Sequence, residues 1–192
     1  SGGHFGLAVS PDERLMAVGY SEFPGRIEVY SLVPAFAHVR TISSPGPGSG
    51  RDAFGLVRGL KFNAAGNLLV CDGGKGYLHE VTVDGGWVRS VRITSAFCVA
   101  WHRDVVAVGT GYCGGPNYIK LLRDTGAGWT PLRDVDSGMG CCYGVAFSPD
   151  GSLVLGVTLT KLYVYDAGTG AAVRSFECLR GVGDICFTGR GE

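Results

Sequence analysis

Four times along the chain an apolar run of four to six residues meets a short polar turn and is followed by a second apolar run. The copies read FGLAVS-PDE-RLMAVGY from Phe5, RGLKFN-AAG-NLLVCD from Arg58, FCVAWH-RD-VVAVGT from Phe97 and YGVAFS-PDG-SLVLGVT from Tyr143. A fifth start, DICFTGRGE, begins at Asp184. Val9, Phe62, Trp101, Phe147 and Phe187 are the equivalent positions, about 44 residues apart on average. A unit this short cannot bury both of its apolar faces alone, so the period dictates a fold made by stacking like units.

Each unit carries two further runs. The third reads RIEVYSL from Arg26, YLHEVTV from Tyr77, YIKLLRD from Tyr118 and KLYVYDA from Lys161. The fourth reads HVRTI from His38, WVRSVRI from Trp87, WTPLRDV from Trp129 and AVRSFEC from Ala172. Short length, β-branched and aromatic content, and alternation such as Ile27 and Val29 around Glu28 make these strands. Glycines in the turns Asp84-Gly85-Gly86, 124–128 and 167–170 supply the positive φ that hairpins between the third and fourth runs need. No window of helical length escapes interruption by Gly or Pro. The chain is expected to be all-β, with four sequential four-stranded antiparallel meanders. The first run of each unit has small residues and little charge, which suits an innermost strand.

Radial stacking of such meanders is a β-propeller, whose blades run about 40–50 residues. The stretch 48–73 resembles a blade of the NHL-repeat family, through Phe54, Gly59-Leu60, the Asn63-to-Asn67 turn and the Val70-Cys71-Asp72 ending. Arg58 replaces that family's usual Pro, and Asn63 its usual aspartate. The stretch 144–176 is similar to WD40 repeats, with Tyr165-Asp166 standing where that family carries Trp-Asp. The resemblance implies a propeller with blades over 5–42, 57–93, 97–135 and 143–179, and the first strand of a fifth over 184–192. A ring of six or seven blades at this period would need roughly 270–310 residues, so the chain is expected to be a piece of a larger propeller, with exposed apolar flanks that promote association.

Composition narrows the function classes. Hydrophobic residues make up 45% of 192, enough for a core, and the 33 glycines follow no collagen-like triplet. Seventeen basic residues balance seventeen acidic ones, which disfavours a nucleic-acid binder relying on a strong basic field. No apolar run is long enough to span a membrane as a helix. The seven cysteines form no C-x-x-C pair and there is no N-x-S/T sequon, which leans toward a reducing, intracellular setting. Small apolar filler on strands is the expected role of the thiols.

Three motifs imitate known chemistry. Gly109 to Gly114 matches G-x-G-x-x-G, but Gly115-Pro116-Asn117 and another strand follow where a dinucleotide site needs a helix. His102-Arg103-Asp104 imitates a kinase catalytic loop, yet occupies the turn matching Pro149-Asp150-Gly151 and lacks the required Asn. Trp87, Arg89 and Arg92 form a basic-aromatic stretch on an outer strand, where a solvated face is expected rather than RNA binding. His4, His38, His79 and His102 share no position in the repeat, as a common zinc site would require. The first runs carry only Lys61 as a charge, against the carboxylates of lactonase-type propellers. No metal or other cofactor is expected.

In a meander, the turns joining strands one to two and three to four lie at one end. The first-to-second turns here are short. The opposite end holds longer, varied loops: 21–26, 73–77, 111–118, 43–56 and 136–143. Long loops on a rigid scaffold are where binding concentrates. Phe23, Arg51, Lys75, Tyr112 and Asn117 are the expected partner contacts. The favoured function is a non-catalytic scaffold that presents this loop-rich face to a protein or peptide. The alternative is a propeller enzyme of the metal-dependent lyase or lactonase type.

Overall fold

The computed structural model describes residues 3–46, 52–111, 118–136, 140–178 and 183–187. Its sixteen strands form four antiparallel sheets, each a meander in chain order. The first holds β1 (Gly3–Val9), β2 (Leu15–Ser21), β3 (Arg26–Ser31) and β4 (Ala37–Ile42); the second holds β5 (Val57–Phe62), β6 (Leu68–Asp72), β7 (Tyr77–Val81) and β8 (Trp87–Arg92). The third holds β9 (Ala96–His102), β10 (Val105–Thr110), β11 (Tyr118–Asp124) and β12 (Trp129–Asp136); the fourth holds β13 (Gly144–Phe147), β14 (Leu153–Val157), β15 (Lys161–Asp166) and β16 (Ala172–Glu177). No helix occurs among the described residues, as the repeat requires. The described residues 183–187 form no ladder, since a strand needs a hydrogen-bonded neighbour; Asp184 lies against Gly144.

The turns follow from local chemistry. In β1–β2, Ser10 Oγ donates to Asp12 Oδ1 at 2.6 Å and accepts from the Leu15 amide at 2.9 Å. The β13–β14 turn repeats this with Ser148, Asp150 and Leu153 at the same distances. These side chains satisfy backbone donors that the turn would otherwise leave bare. Gly85, Gly126 and Gly170 carry φ of 84°, 76° and 76° in the third-to-fourth turns, as expected from the sequence.

The chain divides into two compact units, Ser1–Ala96 and Phe97–Glu192. In the first, Ala8, Ala17, Ile27 and Val29 of the first sheet pack with Val57, Leu60, Leu68 and Val70 of the second. Gly6 lets β1 approach β5 closely: a Cβ there would meet the Arg58 carbonyl oxygen at 3.0 Å and the Leu60 amide nitrogen at 3.1 Å. Every residue of β6 is buried, so that strand reads as a continuous apolar run ending in Asp72. By contrast Leu7 and Val9 are exposed, at 62% and 44%. In the second unit, Phe97, Cys98, Ala107, Ile119, Val145, Val154 and Tyr165 form the core. The Cys98 and Cys142 thiols lie over Gly109, so the first glycine of the G-x-G-x-x-G run is a packing residue inside β10. None of the described cysteines is in a disulfide: Cys71, Cys98 and Cys142 are buried filler, Cys141 and Cys178 half-buried, and Cys186 exposed.

Candidate functional site

The loop-rich end of the first unit is organised by one short segment, residues 53–56. On one side the Gly25 amide donates to the carbonyls of Phe54 at 3.3 Å and Gly55 at 2.8 Å. Gly25 must be bare here, because a Cβ would stand 2.8 Å from the Gly55 oxygen. On the other side the Gly73 amide donates to Leu56 O at 2.9 Å, and Lys75 Nζ donates to Ala53 O at 2.8 Å. Beneath, the fully buried Asp72 carboxylate accepts from the amides of Gly55 (2.8 Å), Leu56 (3.2 Å) and Lys75 (3.0 Å). One carboxylate at the end of β6 thus ties the loop entering β5 to the loop leaving β6. Burial alone would push the Asp72 carboxyl up. His79 and the Gly55 and Lys75 amides outweigh that and hold it below the usual carboxylate range.

Behind Asp72 sits a chain of polar groups. His79 is fully buried, stacked on Tyr77 (ring centroids 5.6 Å) and edge-on to the buried Phe54 (5.9 Å). Its Nδ1 lies 2.7 Å from Ser90 Oγ, which also receives the Trp87 indole N–H at 2.9 Å. The order Ser90, His79, Asp72 imitates a nucleophile, a base and an acid. The geometry does not. His79 Nε2 stands 3.8 Å from Asp72 Oδ2, beyond a hydrogen bond, and both carboxylate oxygens are taken by backbone amides. This network fixes loops and the outer strand; it does not activate a hydroxyl.

A second network faces the opposite end of the same sheet. Glu80, 3% exposed, accepts from Asn63 Nδ2 and Asn67 Nδ2 at 2.8 Å each and from Arg89 Nε at 2.6 Å. Arg89 is therefore neutralised and Trp87 is turned to Ser90, which takes both out of the basic-aromatic stretch.

Of the expected contacts, Phe23 is 76% exposed on the loop pinned by Gly25. That loop is held further by an ion pair between Glu22 and Arg26, which also bonds Glu28 at 2.7 Å and stacks over Tyr20 at 4.2 Å. Lys75 is half-buried on the neighbouring loop, with its ammonium engaged at Ala53. The structure therefore brings Phe23 and Lys75 onto one scaffold through residues 53–55. Arg51, Tyr112 and Asn117 lie outside the described residues. The histidines are dispersed: His38 bonds Glu28 at 2.8 Å, His79 belongs to the Asp72 network and His102 lies beside Gly151. Among the described residues no group of three or more His, Cys, Asp or Glu is placed to hold a metal ion, and no helix is long and apolar enough to cross a membrane.

Two cavities open at the short-turn ends of the sheets. One of about 360 Å³ lies in the first unit between Pro11-Asp12 and Ala64-Ala65-Gly66, closed by Leu15 and Val83. One of about 260 Å³ lies in the second unit between His102-Arg103-Asp104 and Asp150-Gly151. Sequence reading placed no function there, because turns this short carry no insertion to signal a site.

No family model and no curated protein matches the chain. Solved structures do. A crystal structure of Sqt1 from Chaetomium thermophilum, a WD40 propeller protein, superposes with a TM-score of 0.63 at 19% identity, over 86% of this chain and 43% of that one. A second crystal structure of Chaetomium thermophilum Sqt1 gives 0.64 at 20% identity, over 85% and 44%. The chain spans less than half the length of these proteins. Identity at this level speaks to fold alone, and the fold is propeller-like, built from four-stranded antiparallel sheets.

Proposed function

We propose that this chain is a non-catalytic binding scaffold whose loop-rich end holds a protein or peptide partner. The observation that carries the reading is Phe23. A large apolar side chain stands exposed on a loop held by backbone bonds at Gly25 and by the Glu22–Arg26–Glu28 ion pairs. An anchor that is rigid before binding loses little entropy on capture, which is how exposed aromatics become dominant contacts. Lys75 and, by sequence, Arg51, Tyr112 and Asn117 are the contacts proposed around it. The likeness in fold to a WD40 scaffold supports a protein or peptide as the partner class.

Selection of a phage-displayed peptide library on the full chain tests this. Peptides so recovered should lose about 1 kcal/mol or more of binding with Phe23→Ala. Equal losses from Asp12→Asn and Asp150→Asn would move the site to the short-turn end.

A further inference from the structure

We propose that the groove between the β9–β10 and β13–β14 turns of Phe97–Glu192 binds the carboxylates of an acidic peptide segment, with Arg133 and Arg103 as its anchors. The inference stands apart from the loop-end reading above and concerns the other end of the sheets.

The groove exists because sheet four presents glycine where sheet three presents long side chains. His102 lies directly against Gly151, and the Arg133 stem runs 3.2 Å from where a Cβ of Gly170 would stand. Both glycines have positive φ, so their turns tolerate no ordinary side chain in that space without strain. The His102 ring meets Phe147 at 5.9 Å, and its buried Nε2 has no hydrogen-bond partner. A buried polar atom left bare is uncommon enough to mark a place where packing is not the whole purpose.

Charge then selects the ligand. Arg103, Arg123 and Arg133 line the cavity against Asp104 and Asp150. Asp104 stands 3.9 Å from Arg123. The Asp150 carboxylate is turned into its own turn, bonded to Ser148 Oγ at 2.6 Å and to the Ser152 amide at 3.0 Å. Those bonds hold its pKa at about 2, so it stays charged without reaching for an arginine. Asp166, beside Arg133, is likewise bonded to the Thr169 amide at 2.7 Å and hydroxyl at 2.9 Å. Arg103 and Arg133 make no hydrogen bond and no close ion pair among the described residues; Arg133, half-buried, acts on Asp166 only through its charge. A guanidinium in that state gains most from a planar, bidentate carboxylate. Leu132, Phe147 and Ala167 give the groove apolar wall for side-chain stems. With Asp104, Asp150 and Asp166 set against Arg103, Arg123 and Arg133, the groove has no net positive charge to offer a phosphate ladder, which favours a peptide over nucleic acid.

The test is fluorescence anisotropy on the full chain with a fluorescein-labelled hexapeptide of alternating glutamate and leucine, beside its glutamine analogue. The glutamate peptide should bind at least about tenfold tighter than the glutamine one, with the difference shrinking as salt rises from about 50 to about 300 mM. Arg133→Ala and Arg103→Ala should each weaken it about fivefold, and Arg133→Lys less than Arg133→Ala, because lysine keeps the charge but not the fork. Phe23→Ala should leave it unchanged. Circular dichroism confirms folding, and Arg103→Ala, on an exposed turn, keeps the test open if the Arg133 variants misfold. Equal binding of the glutamine peptide, indifference to both arginine-to-alanine changes, or loss with Phe23→Ala would each overturn the proposal. So would displacement of the peptide by single-stranded oligothymidylate at a lower concentration than by unlabelled peptide.

Discussion

Strands β8 and β16 carry the same tripeptide at the same place in their sheets, and the protein uses it differently. Val88-Arg89-Ser90 and Val173-Arg174-Ser175 both lie on a fourth, outermost strand. In register, Ser90 faces His79 and Arg89 faces Glu80, whereas Ser175 faces Tyr163 and Arg174 faces Val164. The first pair of partners draws Arg89 into a 2.6 Å bond with a buried carboxylate and Ser90 into a 2.7 Å contact with a buried imidazole. The second pair offers neither, and every residue of β16 is exposed. Whether an outer strand is wired into its sheet is decided by the third strand, two positions at a time.

Three substitutions should break the wired side. The largest effect is expected from Asp72→Ala, which strips three backbone amides of their acceptor and should cost about 3 kcal/mol in urea unfolding. Asp72 also sets a pH signature. Its folded pKa is depressed, so its contribution is present above the unfolded value near 4 and is lost as pH falls through the folded one. Asp72→Asn should therefore flatten the acid limb of stability against pH below about 4. An unchanged acid limb would mean that Asp72 is not held ionised by its amides. Next comes Glu80→Val, which gives β7 the residue β15 carries. It leaves Asn63, Asn67 and Arg89 without their acceptor and should cost about 2 kcal/mol. A neutral outcome would show that these groups are satisfied by water instead.

The repeat made the architecture legible: sixteen strands, the meander order and the positive-φ glycines all follow from apolar periodicity and turn chemistry, which are local. The loop end was half legible. Phe23 was visible as an aromatic on a varied loop, but what holds it was not, because Gly25 is tied to Phe54 and Gly55 some thirty residues on. Asp72 stood out only as the last residue of the NHL-like Val70-Cys71-Asp72 ending, since nothing within a few residues shows that its oxygens meet Gly55 and Leu56. His79 and Glu80 read as ordinary strand residues until the register set them opposite Ser90 and Arg89. The second-unit groove left no trace in turn length, as it depends on two glycines facing side chains of a different sheet.

The finest test separates the twin serines and arginines themselves. Ser90→Ala removes the contact to His79 Nδ1 and the acceptor for the Trp87 indole, and should cost about 1 kcal/mol; Ser175→Ala should fall within about 0.5 kcal/mol of the parent. Arg174 is the smallest case. It lies over the Phe176 ring at 5.6 Å on an exposed strand, where such a contact is worth at most about 0.5–1 kcal/mol, and part of that returns when the truncated surface is rehydrated. Arg174→Ala should therefore shift the urea midpoint barely beyond error, while Arg89→Ala, which leaves Glu80 with the two asparagines alone, shifts it clearly. Introducing a carboxylate by Val164→Glu should then make Arg174 matter: with an acceptor opposite it in register, the Arg174→Ala change should cost more in that background than in the parent. If the two backgrounds respond alike, the third strand does not govern the fourth, and the difference between β8 and β16 must come from the turn that joins them.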